Sequence, residues 1–568
     1  MLLTKIILTV LYIVGGFLSY ELFLPAIGFN LDFITYAGIL GVIGIVLITF
    51  WFSKEVDDFF DYGKYPIIAF VIFLLVVIII AVYSTSLFHA DKMYNQLGSV
   101  EDHSFTKEIV PIDTYQIPTV DAQLAKKQGE KKLGEIPALG SQVELGEFTI
   151  QQVQGKLVFV APLEHTGFFK WKSNKTTPGY IVVSATNPSD VQLVTDLNGE
   201  ALALKYLKSS YFGSDILRYV RSQGYRTDLM TSFTFELDDT GRPYWTITKY
   251  ENTIGFGSAE AIGTIIVDVQ TGEIQDYSIE DTPEWVDIIQ PSDFIEKQIK
   301  RWGSLPHGPF NFSQKDEFKK TEGILTVYND GKCYYYTGLT SVGNDEATIG
   351  FVMIDTRTKE AHRFLMSGAT EDAAMSSAEG MVQDLGYKAT EPVPLNMNGV
   401  PTYFLTLKDD AGLIKKYAMV NIQNYAIVGI GDTINQAKSS YMSKLATNGN
   451  TAGFEGEAYS YEAEGVITRI SSAVEAGETF YYFVLDNDFS KVYVASNQLS
   501  SLLPVTEVGD TVKVSYVSNA NTEITVNRFE NVKFNITKTE EKLEQETETQ
   551  PIESDDNQIY KGDEEKAN

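Results

Sequence analysis

Three long apolar stretches open the chain, and a bilayer leaves such segments few alternatives. They are IILTVLYIVGGFLSYELFL (Ile6 to Leu24), ITYAGILGVIGIVLITFWF (Ile34 to Phe52) and IIAFVIFLLVVIIIAVY (Ile67 to Tyr83). A membrane-spanning helix needs roughly 17–25 apolar residues, because every backbone polar group must be satisfied within it. The second and third stretches carry no charge, and the first is interrupted by Glu21. Read alone, the first also fits a signal-peptide core. No small-residue cleavage site follows it and two further spans come at once, so three retained helices are expected.

Lysine and arginine set the orientation. Lys5 precedes the first helix, the loop ELFLPAIGFNLD has neither residue, and the loop SKEVDDFFDYGKYP has Lys54 and Lys64. The N-terminus and second loop are therefore expected in the cytoplasm. The large region from about His89 onward is expected to be extracytoplasmic. Gly38, Gly41 and Gly44 form a small-residue stripe on the second helix, which suits close helix packing within the protein or with a partner.

The 568 residues exceed one ordinary domain. A net charge of -30 removes the basic footprint that nucleic-acid binding requires. The single cysteine, Cys333, excludes an intrachain disulfide and a cysteine-based metal site.

Beyond a polar segment with one short helix around Asp121 to Lys132, a pattern recurs. Gly155, Gly241, Gly331 and Gly399 each sit between β-patterned runs: VQGKLVFVAPLEH, DTGRPYWTITKYEN, NDGKCYYYTGLTS and MNGVPTYFLTLKDD. Glycine in such a place reads as a hairpin turn. A second strand follows each: PGYIVVSATNPSDVQLV, IGTIIVDVQTGEIQDYS, IGFVMIDTRTKEAHRF and KKYAMVNIQNYAIVGI. Its apolar run ends in a short polar residue, Ser184, Asp268, Asp355 or Asn421, able to accept a backbone N–H and close a turn. Helical stretches ending at Gly224, Gly303, Gly386 and Gly449 lie between. The expected unit is one helix on about four antiparallel strands, a small α+β layer.

The second copy resembles PepSY modules, in which a helix precedes a sheet and a D-x-x-T-G-E turn joins late strands. Asp268, Thr271, Gly272 and Glu273 match that turn. The third copy has Asp355, Thr358, Lys359 and Glu360, without the glycine, and the first and fourth depart further. A cystatin-like helix-on-sheet fold gives the same pattern. The resemblance implies an envelope protein and a link to restraint of proteases.

From Glu462 the strands come closely spaced: GVITRISSAV, TFYYFVLDN, KVYVASNQL, GDTVKVSYV and ITVNRFENVKF, with the short apolar SSLLPV after the third. That is the order of an OB-like β-barrel. The stacking triplet Tyr481, Tyr482 and Phe483 lacks a basic groove, so the barrel is not expected to bind nucleic acid. The last residues are acidic and poor in apolar side chains, and disorder is expected there.

The chemistry-bearing residues are few. His89, His103, His165, His307 and His362 form no metal-ligand spacing, and neither a G-x-S-x-G elbow nor a P-loop is present. Cys333, flanked by aromatics at strand spacing, reads as buried and structural. No catalytic residue, cofactor or metal is expected, and Gly155, Gly241, Asp268, Gly272, Gly331, Asp355 and Gly399 are read as turn-shaping residues.

The expected fold class is thus α+β. The layout is membrane helices over 1–87, a stalk over 88–140 and four α+β modules over 141–225, 226–300, 301–385 and 386–449. An OB-like barrel over 455–535 and an acidic tail over 538–568 complete it. The expected function is a membrane-anchored, non-enzymatic envelope protein that binds or scaffolds other proteins. A PepSY-type regulator of an envelope protease and a cell-wall enzyme with an unrecognised site are the alternatives.

Overall fold

The structure, a computed structural model, describes residues 2–52, 56–105, 109, 117–329, 331–343, 347–397, 399–447, 461–475, 478–497, 499–516 and 523–534. Lys54, one of the orienting lysines, and the expected tail over 538–568 lie outside them. Among the described residues three helices are long and apolar enough to cross a membrane, with spans Leu3–Phe23, Leu31–Phe52 and Ile67–Leu97. The first two pack closely. The Tyr12 hydroxyl donates to the Leu40 carbonyl at 2.9 Å, and that of Tyr36 to the Gly16 carbonyl at 2.8 Å. A Cβ on Gly44 would lie 2.9 Å from the Tyr12 oxygen, and one on Gly38 would meet Phe73 of the third helix at 3.7 Å. Gly41 has nothing within 4 Å. Two of the three stripe glycines thus serve packing inside the chain.

The rest is mixed α+β: four mostly antiparallel sheets, a closed barrel and a small two-stranded ribbon. The four sheets repeat one set of backbone hydrogen bonds. The residue after each turn-capping side chain sends its N–H to the start of the central strand. These pairs are Ala185 to Leu157, Val269 to Pro243, Thr356 to Cys333 and Ile422 to Pro401, at 3.0–3.4 Å. Its carbonyl accepts from the chain that leads into a helix: Thr119 and Val120, Lys205 and Tyr206, Ile289 and Gln290, and Ala369. The helices so placed are Ala122–Gly134, Ile216–Ser222, Ser292–Ser304 and Glu371–Gly380. Each helix therefore belongs to the sheet that follows it, which gives units 1 to 4. The expected modules attached each helix to the sheet before it, so the structure moves every unit one helix toward the N-terminus.

The residues read as a stalk are built into this array. Asp121 caps Ala122–Gly134 by accepting from the Leu124 N–H at 2.8 Å. Leu124, Ala125 and Leu133 then pack on Phe159, Leu163, Ile181 and Val183 of the first sheet. Val100–His103 adds as a parallel strand to the edge strand Ala361–Ala369 of unit 3. Helix Glu371–Gly380 buries Ala374 and Ala378 between the third and fourth sheets, where Tyr336, Phe351, Tyr403 and Leu405 meet. Helix Ile434–Thr447 covers the other face of the fourth sheet through Tyr441, Met442 and Leu445.

The barrel is formed by Tyr461–Glu475, Glu478–Leu485, Asp488–Ser496, Thr511–Tyr516 and Glu523–Asn531. In chain order they close as first, second, third, fifth, fourth, with the third and fifth parallel. A 3₁₀ turn, Leu503–Val505, fills the link between the third and fourth strands and buries Leu503. Phe483 is core, its ring 5.7 Å from that of Tyr493, so it is no surface platform.

Candidate functional site

Turn chemistry comes first, because it places the hairpins. The Asp268 carboxylate accepts the N–H groups of Gln270 and Thr271 at 2.9 and 2.8 Å, and that of Asp355 accepts Arg357 and Thr358, both at 2.8 Å. Ser184 receives Thr186 and Asn187, and Asn421 receives Asn424. The second Asp268 oxygen holds Arg242 at 2.6 Å. Gly272 has φ +79°, and a Cβ there would lie 2.6 Å from both the Tyr206 ring and the Tyr219 hydroxyl. Only glycine fits both the left-handed backbone and that contact.

Gly155, Gly241, Gly331 and Gly399 all hold positive φ, from +73° to +86°. The structure brings the first three together, lining one cleft of about 1230 Å³ between units 1, 3 and 4 with the tip of unit 2. Gly399 lies outside it, its N–H held by Asn396 of the lining at 2.7 Å. The walls come from the hairpin strands Thr149–Val153, Leu325–Asn329 and Val393–Met397. Among the described strands each pairs with one neighbour only. In the first, the Gln152 N–H goes to Asp287 and the Ile150 carbonyl accepts from the Tyr328 hydroxyl at 3.4 Å, and in the third Pro394 has no N–H to give. The chain reaches the wall at Phe105 and Ile109 and leaves it at Pro118, with 106–108 and 110–116 outside the described residues. Among the described residues the charged ones in the lining are Asp121, Lys156, Asp190 and Glu391. Asp121 is paired with Lys408.

Behind this wall sits a buried acidic pair whose members lie 51 residues apart in the chain. The Asp287 carboxylate accepts the Gln152 N–H at 2.6 Å and the Tyr328 hydroxyl at 3.1 Å. Its own N–H donates to Glu236 at 3.3 Å, and the other Glu236 oxygen accepts from Thr234 and Thr246 at 3.0 and 2.7 Å. Burial pushes the Glu236 carboxyl up to about 7, with the Asp287 charge adding to it. Burial also lifts Asp287 to about 6 against the hydrogen bonds from Gln152 and Tyr328. The pair joins unit 1 to unit 3 through the segment that links units 2 and 3. Glu236 alternates with Phe235 along its strand, and Phe235 faces the core shared by units 1 and 2. Glu236, on the polar side of this strand, is buried as well, and a sheet covered on both sides leaves no mark in a single strand's alternation.

Cys333 is 4% exposed, and burial pushes its thiol up, away from reactivity. His103 and His362, isolated in sequence, meet at 2.8 Å between ring nitrogens across the parallel strand pair. Parallel pairing of segments so far apart in the chain has no local signature. Among the described residues no group of three or more His, Cys, Asp or Glu is placed to hold a metal ion. The arrangement offers a shaped cleft walled by singly paired strands and a proton-sensitive joint behind it. No protein-family model matches the chain, and no curated protein matches it.

Proposed function

We propose that the chain is a membrane-anchored binding protein whose repeat units present the cleft to an extended segment of a protein partner. The observation that carries this reading is the convergence of three hairpin tips and three singly paired strands on one cavity. An added strand gains main-chain hydrogen bonds along the free side of Leu325–Asn329, and the space between the hairpins takes its side chains. The cleft exceeds the ~300–1,000 Å³ typical of small-molecule pockets, which favours a polymer segment. The lysines Lys5, Lys54 and Lys64 favour an extracytoplasmic, envelope-facing arm. The D-x-x-T-G-E turn at Asp268 supports a PepSY-type unit and the strand order supports an OB-type barrel; both remain part of this proposal.

Photo-crosslinkers placed in cells at the exposed cleft positions Gln192 and Glu391 test it. Both should trap the same partner, and a crosslinker at Asp432, outside the cleft lining, should not. Identical adducts at all three positions, or none at the cleft, would overturn the reading.

A further inference from the structure

An aromatic platform stands in a part of the chain the cleft does not use. The short helix Phe168–Ser173 and the loop before Ile216–Ser222 bring Phe168, Trp171, Tyr211 and Phe212 together. Phe168 is 5.2 Å from Tyr211, and Trp171 is 5.7 Å from Phe212, between ring centroids. Two rings point into solvent: Phe169 is 80% exposed and Phe212 67%. Phe212 also holds φ +54°, a backbone state that costs a bulky residue energy. The fold therefore maintains strain in order to display an apolar ring.

The surroundings are basic in a chain with 75 acidic and 45 basic residues. Lys170 and Lys172 are exposed on the helix, and Lys175 sits 3.4 Å over the Trp171 ring. Lys205 and Lys208 flank the loop, Lys208 paired with Glu147 at 3.2 Å, and neither Thr166 to Thr177 nor Lys205 to Ser214 contains an acid. The helix that follows this loop, and the turn after it, touch the membrane helices. Arg218, in the helix that follows Phe212, is 3.6 Å from Glu21 near the end of the first span. The Arg226 carbonyl accepts the Ile27 N–H at 2.8 Å.

We infer that this platform seats on the bilayer surface, with Phe169 and Phe212 at the headgroup level and the lysines against anionic phospholipid. Aromatic rings favour the membrane–water interface, and each lysine gains from a negative surface potential within a Debye length. The mutual edge-on and tilted packing of the rings holds them in place before contact, so little order is lost on docking. One anchored helix bundle would let the arm swing; a second contact fixes its attitude and with it the height of the cleft above the membrane.

The test uses the full chain in lipid nanodiscs, with Ser173→Cys carrying an environment-sensitive fluorophore and buried Cys333 left unlabelled. In discs containing phosphatidylglycerol, doxyl-labelled lipid should quench the probe strongly. Discs of phosphatidylcholine alone should lose most of that quenching, and so should Phe169→Ser/Phe212→Ser or Lys170→Glu/Lys172→Glu. Protection of Cys333 from thiol reagents confirms that each variant is folded. Equal quenching in all cases overturns the inference. A probe that stays in water in anionic discs but is shielded in native membranes also overturns it, and assigns the platform to a protein.

Discussion

Lys359 holds its ammonium 2.6 Å from the Glu260 carboxylate and so ties the turn of unit 3 to a strand of unit 2. The same nitrogen donates to the Gln96 carbonyl at 3.0 Å. Its backbone has φ +67° at the place where unit 2 has Gly272. A left-handed conformation costs a non-glycine residue roughly 1–2 kcal/mol, so the side chain must return something that glycine cannot. Both partners are 20% exposed, which leaves the ion pair only partly screened. Lys359→Gly should relieve the turn yet loosen the joint between units. A double-mutant cycle of Lys359→Met with Glu260→Gln, read by hydrogen exchange at Asp355 to Glu360, should give a coupling of roughly 1 kcal/mol that shrinks in high salt. Zero coupling would leave the strained lysine without a reason.

The turn caps predict an unequal pair of losses. Asp355→Ala should cost about 1–2 kcal/mol of local stability, because two N–H groups lose their acceptor. Asp268→Ala should cost more, since Arg242 is released as well. Gly272→Ala should be at least as severe as either, adding a left-handed penalty to a clash with Tyr206 and Tyr219. Limited proteolysis at each turn ranks the three.

Inside the membrane, Gly44→Leu should separate the first two spans. The new side chain would enter the space of the Tyr12 hydroxyl and break its bond to Leu40, at a cost of roughly 1–3 kcal/mol. Gly41→Leu is the control, because Gly41 meets nothing within 4 Å. Heat or detergent unfolding of the full chain should lower the transition for the first variant and leave the second unchanged.

These contrasts show what a single sequence carries. The spans, the hairpin glycines and the capping residues are local events, legible from hydropathy and turn chemistry. Which sheet owns a helix is not local. The amphipathic run Ser292–Ser304 reads alike whether it closes one unit or opens the next, and the bonds from Ile289 and Gln290 to Thr356 decide it. The cleft was legible only as its parts. Gly155, Gly241 and Gly331 were visible as turns, but their meeting depends on how four units stack. Glu236, Asp287 and Tyr328 come together from three segments, and no spacing announces that.

The buried acids make the joint between units sensitive to pH. Glu236 rises from an ordinary 4.5 to about 7 and Asp287 from 3.8 to about 6. The folded chain therefore holds more protons than the unfolded chain between those limits. The stability their neutral forms contribute is complete below the ordinary values and is lost as pH rises through about 6 and about 7. For Glu236 alone the shift corresponds to on the order of 3 kcal/mol. Arg357 favours the charged form of Asp287, and Asp239 opposes it. Cys333, buried beside Tyr328 and Thr356, reports opening of this joint, since a thiol reagent reaches it only when unit 3 loosens. Labelling speeds up with pH for any thiol, so Glu236→Gln supplies the reference. The ratio of wild-type to variant labelling should rise at least about tenfold between pH 5 and pH 8. A ratio that stays flat would mean that Glu236 titrates alike in the closed and the open chain, or that unit 3 opens without disturbing it.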